Sequence, residues 1–82
     1  MQVSILDPRQ IIWQGRVKKL LLPAEEGEMC VLDFHQPFLV RLSKGQIQLG
    51  IEGRAAVSEN KILVKDGIAH MRGNELTILI EA

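Results

Sequence analysis

Glu26-Gly27-Glu28-Met29-Cys30-Val31-Leu32-Asp33-Phe34-His35-Gln36-Pro37-Phe38-Leu39 joins a charged turn, a short apolar run and a His-x-Pro corner, with no apolar stripe at helical spacing. Gly27 between two carboxylates suits a tight turn, because glycine alone takes positive φ at no steric cost and glutamate accepts solvated flanks. Pro37 has no N–H to give to a ladder and drives Gln36 towards an extended conformation, so the chain leaves its sheet there. The stretch reads as a strand between two connections that display side chains, and the rest of the chain reads as strands arranged around it.

On the C-terminal side, residues 38–42 form the next expected strand, and Ser43-Lys44-Gly45 a turn. The clearest strand signal follows: Ile47, Leu49 and Ile51 point one way, while Gln46, Gln48 and Gly50 point the other. That period of two belongs to a sheet with one wet face, and a slip of one residue would expose all three apolar side chains. Residues 53–57 give a weaker strand, 58–60 a turn and 61–65 another strand, after which Asp66-Gly67 reads as a turn dipeptide. Residues 68–72 form a strand, Gly73-Asn74 a turn, and Leu76, Ile78 and Ile80 one face of a last strand.

On the N-terminal side, residues 3–6 read as a strand and Asp7-Pro8-Arg9-Gln10 as a turn with Pro8 at its second position. A short strand over residues 11–13 is broken by Gly15. Residues 16–23 read as one longer strand, with a bulge where Val17-Lys18-Lys19-Leu20 departs from alternation and Pro23 as its end. Turn signals recurring between short β-branched runs predict an all-β fold, a two-sheet antiparallel β-sandwich of about eight to ten short strands. The 82 residues form a single domain spanning residues 1–82.

Composition narrows the function classes. The hydrophobic fraction is 46%, with one Trp and two Phe, so the core must come from Leu, Ile and Val. Ten basic and ten acidic residues cancel, which argues against a nucleic-acid partner. The single Cys30 excludes an internal disulfide and a Cys-based zinc site, and is expected to be a small buried hydrophobe. Residues 1–5 are already strand-like and carry no secretory signal. Runs such as Leu20-Leu21-Leu22 fall far short of the ~20 residues that cross a bilayer, so any membrane association is expected to run through another protein.

Little chemistry is written into the chain. His35 and His70 belong to no spaced ligand motif, so no metal site is expected. His35 reads as a corner residue whose ring bonds a backbone group or packs against a partner. The glycines sit singly, never in a phosphate-cradling cluster, and no cofactor is expected. Arg16, Lys18 and Lys19 form a small solvated basic patch, and Trp13 is equally a core residue or an interface anchor.

Several of these stretches, in order, resemble the N-terminal β-sandwich domain of the epsilon subunit of F-type ATP synthase. The similarity lies in Val3-Ser4-Ile5-Leu6-Asp7-Pro8, Trp13-x-Gly15-x-Val17, Leu22-Pro23, the Glu26-Gly27-Glu28 turn running on to Val31-Leu32, and the corner His35-Gln36-Pro37-Phe38-Leu39. It continues through Lys44-Gly45-Gln46-Ile47, Val64-x-x-Gly67-Ile68-Ala69 and Asn74-Glu75-Leu76-Thr77-Ile78-Leu79, so that it covers essentially the whole chain. Two departures stand out: Cys30 replaces a family glycine, and Asp33-Phe34 replaces Pro-Gly before the histidine.

The resemblance implies a non-catalytic central-stalk subunit, at the cytoplasmic face of the membrane and peripheral to it, that couples c-ring rotation to the catalytic head. It further implies that one sheet face docks on the gamma subunit. Glu26, Gly27 and Glu28 would meet the c-ring, and His35, Gln36 and Pro37 would meet gamma. Family members continue into a two-helix domain, and this chain reads as a short form without it. The alternative class is a free-standing β-sandwich that binds some other protein or a small ligand; an enzyme is a distant third.

Overall fold

Alternation along each strand decides which side chains enter the core. The computed structural model describes residues 1–50 and 61–81. They form nine strands, β1 (Gln2–Leu6), β2 (Ile11–Arg16), β3 (Lys19–Ala24), β4 (Gly27–Leu32), β5 (Phe38–Leu42), β6 (Gly45–Gly50), β7 (Lys61–Val64), β8 (Asp66–Arg72) and β9 (Glu75–Glu81). Strands β2-β1-β9-β8-β5 make one layer and β4-β3-β6-β7 the other. The layers join at one bridge, Ala24 of β3 with Leu42 of β5. Beside it the Glu25 N–H donates to Arg41 O at 2.9 Å and the Ser43 N–H to Pro23 O at 2.7 Å.

The expected all-β sandwich is what forms, and among the described residues every strand pair but one is antiparallel. β1 and β9 run parallel, Gln2 opposite Glu75 and Leu6 opposite Leu79. Strands so distant in the sequence leave no local signal of their relative direction.

The core is wholly apolar: Val3 and Ile5, Leu20 and Leu22, Ile47 and Leu49, and Leu76 and Ile78 are all at or near zero exposure, and no described polar side chain is buried. Burying such a side chain contributes roughly 1.5–3 kcal/mol relative to leaving it in water, against an ordering cost of about 1–2 kcal/mol for each backbone residue. Trp13 settles on the core side of its strand, half-buried, with its ring lying over Gly15.

Four local readings change. Gly15 does not break β2 but pairs with Val3 within it. Residues 16–23 are not one strand: β2 ends at Arg16 in the first layer and β3 starts at Lys19 in the second, so the lost alternation marks a passage between layers. Asp66-Gly67 is not a hairpin turn, because β7 pairs with β6 whereas β8 pairs with β5 and β9. Cys30 is exposed, since Val31 takes the inward position beside it. The weak strand at 53–57, the turn at 58–60 and the inward placing of Ile51 lie outside the described residues.

Two true turns have backbone reasons. Gly73 and Asn74 both take positive φ, 58° and 57°, between the paired Arg72 and Glu75, the twist a two-residue hairpin needs. In the β3–β4 hairpin, Glu25 and Glu26 keep negative φ and the demand falls on Gly27, at 134°.

Gly67 is required for a different reason: a β-carbon there would lie 2.5 Å from Leu79 O. Gly67→Ala should therefore lower stability by roughly 1–3 kcal/mol, because the overpacking cost exceeds the ~0.5–1 kcal/mol gained by restricting the unfolded chain. Urea unfolding checks this as a lower midpoint at unchanged slope.

Candidate functional site

Inward positions fill the core, so any site on this fold is built from outward positions and from the loops at the two ends. Across the layer β2-β1-β9-β8-β5 the registers align the outward side chains into rows. One row runs Arg41, Ile68, Leu79, Leu6, Ile11. The next runs Leu39, His70, Thr77, Ser4, Gln14, and a third Arg72, Glu75, Gln2, Arg16. The first row is apolar across four strands, and Ile11, Ile68 and Leu79 in it are each about half exposed, at 57%, 47% and 52%. Leu6, Ile68 and Leu79 of this row, with Pro8 and Leu39, line a shallow open groove of ≈ 840 Å³, bordered by Asp7, Arg41, Asp66 and Glu81.

The opposite outer face differs. Outward positions there alternate Glu28, Gln46, Gln48 and Lys61 with Leu21, Leu32 and Leu63, so no apolar row crosses it among the described residues. A large exposed apolar patch rimmed by polar groups marks an interaction surface, and among the described residues it is the first layer that carries one.

One end of the sandwich is rich in carboxylates. Glu26 sits in the two-residue β3–β4 loop and Glu28 just inside β4, both exposed. Beside them Arg41 reaches Asp66 at 3.2 Å and Glu25 at 3.8 Å, tying the β7–β8 junction to the hairpin. The hydrogen bond from Arg41, then the Gly67 N–H at 2.8 Å, hold the Asp66 carboxyl below the ordinary value of 3.8 for a free aspartate.

The corner between β4 and β5 lies at the other end. Asp33 donates its N–H to Lys18 O at 2.9 Å, and its carboxylate receives the chain-terminal ammonium of Met1 and the Asn74 side-chain amide. Those contacts, the Met1 ammonium foremost, lower the Asp33 pKa. The His35 ring bonds a backbone group, its Nδ1 lying 2.8 Å from Gln36 O, and meets Phe38 edge-on at 5.2 Å between centroids. Phe34 takes φ 61° despite its bulk.

Glu26, Gly27 and Glu28 are thus gathered at one end, and His35, Gln36 and Pro37 at the other, with β4 running between them. The apolar row itself was missed in the sequence. Its signal was present in Ile78-Leu79-Ile80, since a strand apolar at successive positions has both faces covered. Among the described residues no three of His, Cys, Asp or Glu converge into a metal site.

The described residues thus form a small β-sandwich with an apolar outer face, a charged end and a braced corner. The chain belongs to the family of the ATP synthase delta/epsilon chain, β-sandwich domain, which matches residues 1–82. It is 35% identical to the chloroplastic ATP synthase epsilon chain of Chlamydomonas reinhardtii, over 96% of this chain and 57% of that one. It is 33% identical to the ATP synthase epsilon chain of Rickettsia typhi, over 100% of this chain and 74% of that one. This chain therefore spans little more than half the length of several relatives that it matches.

The fold is also that of a chain in the central stalk/c-ring structure of Tetrahymena thermophila mitochondrial ATP synthase. The TM-score there is 0.80 at 13% identity, covering 99% of this chain and 63% of that one. A chain of the Euglena gracilis mitochondrial ATP synthase (OSCP/F1/c-ring) superposes with TM-score 0.80 at 22% identity, covering 95% and 48%.

The Arg41–Asp66 pair carries a pH signature. A carboxylate whose pKa is lower in the folded state stabilises above its unfolded pKa, and that contribution fades as pH falls from 3.8 through the folded value. Asp66→Asn should lower the unfolding midpoint slightly at neutral pH, the pair being exposed, and approach the unsubstituted protein once the pH lies below the folded value. Thermal unfolding across that range measures the convergence.

Proposed function

We propose that this chain is a non-catalytic component of the central stalk of a rotary F-type ATP synthase, passing rotation of the c-ring to the catalytic head. The apolar row Ile68, Leu79, Leu6 and Ile11 carries this reading, because among the described residues it is the outer face of this layer that offers an apolar docking surface. Its partner is the gamma subunit. Relatives named as epsilon chains and the central-stalk origin of a structural neighbour support the assignment.

His35, Gln36 and Pro37 extend the gamma contact beyond the sheet face, and Glu26, Gly27 and Glu28 form the foot directed at the polar loops of the c-ring. Their positions at opposite ends suit a part held between two partners. Exposed rim carboxylates such as Glu26 and Glu28 steer and orient rather than supply most of the affinity. The subunit sits peripherally at the cytoplasmic face and meets the membrane only through the ring. It needs no cofactor, because its task is mechanical.

Titration of the isolated gamma subunit of the same synthase tests the assignment. The unsubstituted chain should bind at physiological salt, and Ile68→Asp or Leu79→Asp should weaken binding by about 10-fold or more, as for a residue at the centre of an interface. Glu26→Lys with Glu28→Lys should leave gamma binding intact but slow association with ring-containing complexes in a salt-dependent way. No gamma binding by the unsubstituted chain would overturn the reading.

A further inference from the structure

The corner at residues 33–37 combines two costs at one residue, Phe34. Phe34 stands in the left-handed region at φ 61°, where a bulky side chain is disfavoured and glycine or asparagine is the ordinary choice. Its ring is also 78% exposed, the most exposed of the large apolar side chains described.

The backbone around that ring is held from several sides. The Phe34 N–H donates to Asn74 Oδ1 at 2.7 Å, across from the β8–β9 turn. The Asp33 N–H bonds Lys18 O at 2.9 Å, the His35 N–H bonds Leu32 O at 3.1 Å, and Asn74 O accepts the Gln2 N–H at 3.1 Å. The carboxylate of Asp33, the residue before Phe34, is paired with the Met1 ammonium. The aromatic group is therefore displayed on a braced loop with its neighbouring charge already compensated. Strained backbone persists where surrounding structure over-determines it, and such sites cluster where a ligand or partner is gripped. A side chain fixed before binding also loses little conformational freedom when it docks.

Resting on the stalk assignment above, we infer that Phe34 is a pre-positioned anchor that enters an apolar pocket of the gamma subunit. Continuity selects this occupant. The corner leads directly into β5, whose first outward residue, Leu39, belongs to the face with the apolar row. The acidic turn directed at the ring lies at the far end of β4.

Three variants of the full chain, titrated with gamma, test the anchor. Phe34→Gly removes both ring and strain, Phe34→Ala removes the ring but keeps the left-handed demand, and Phe34→Tyr keeps an aromatic ring. The glycine variant should unfold at the same or a higher temperature than the unsubstituted chain. The Gly and Ala variants should both bind gamma about 10-fold more weakly or worse, mostly through faster dissociation, while Tyr retains most of the affinity. If Gly and Ala bind like the unsubstituted chain while Leu79→Asp still abolishes binding, the anchor is wrong and the docking face stands. If the unsubstituted chain binds no gamma, both fall.

Discussion

A single backbone bridge holds the two layers in one continuous sheet, and the rest of the architecture depends on it. At Ala24 and Leu42 the sheet passes from the layer of β3 to that of β5, and the neighbouring bonds from Ser43 to Pro23 and from Glu25 to Arg41 close the seam. Pro23 gives no N–H, so it serves at the seam as an acceptor alone. With the layers hinged there, the inward residues of β3 and β6 face those of β1, β8 and β9, and the apolar core forms between them. The Arg41 side chain, clasping Asp66 and Glu25, reinforces the same seam from the solvent side.

The hinge also determines what the outside can offer. Once the inward positions are committed to Leu, Ile, Val and Met, recognition is left to the outward rows and the loop ends. The first layer places its apolar outward residues in register across four strands, whereas the second scatters its apolar groups among glutamines and lysines. This asymmetry gives the domain a direction: an apolar face on one layer and an acidic end at the β3–β4 hairpin. The proposed place in a rotating stalk would draw on that division.

Much of the fold was legible because its information is local. Period two in Gln46 to Gly50 and in Leu76 to Ile80, the Gly73-Asn74 turn and the turn at Gly27 all report on neighbours in the chain, and each appears where expected. What escaped was non-local. The passage between layers at Val17 and Lys18 looked like a bulge, and Gly67 looked like a turn although its role is to let the β9 backbone come close. Cys30 was misjudged because polarity alone does not say which way a residue faces on an edge strand. The apolar row left only the double-faced run Ile78-Leu79-Ile80 as its trace, because Leu6, Ile11, Ile68 and Leu79 meet only through strand registers that sequence spacing does not encode. The residues at the hairpin and the corner could be picked out, but not their separation to opposite ends.

The parallel pairing of β1 with β9 has a consequence for how the molecule comes into being. In the first layer β9 lies between β1 and β8, so until it is made the hairpin of β1 and β2 has no route to the pair formed by β8 and β5. A growing chain that has emerged as far as β8 therefore carries half a layer on each side of an empty slot, with Val3, Ile5, Ala69 and Met71 unable to bury fully. Pairings between such distant segments form slowly and leave exposed edges meanwhile. β9 acts as a keystone, and completion of the first layer waits on it.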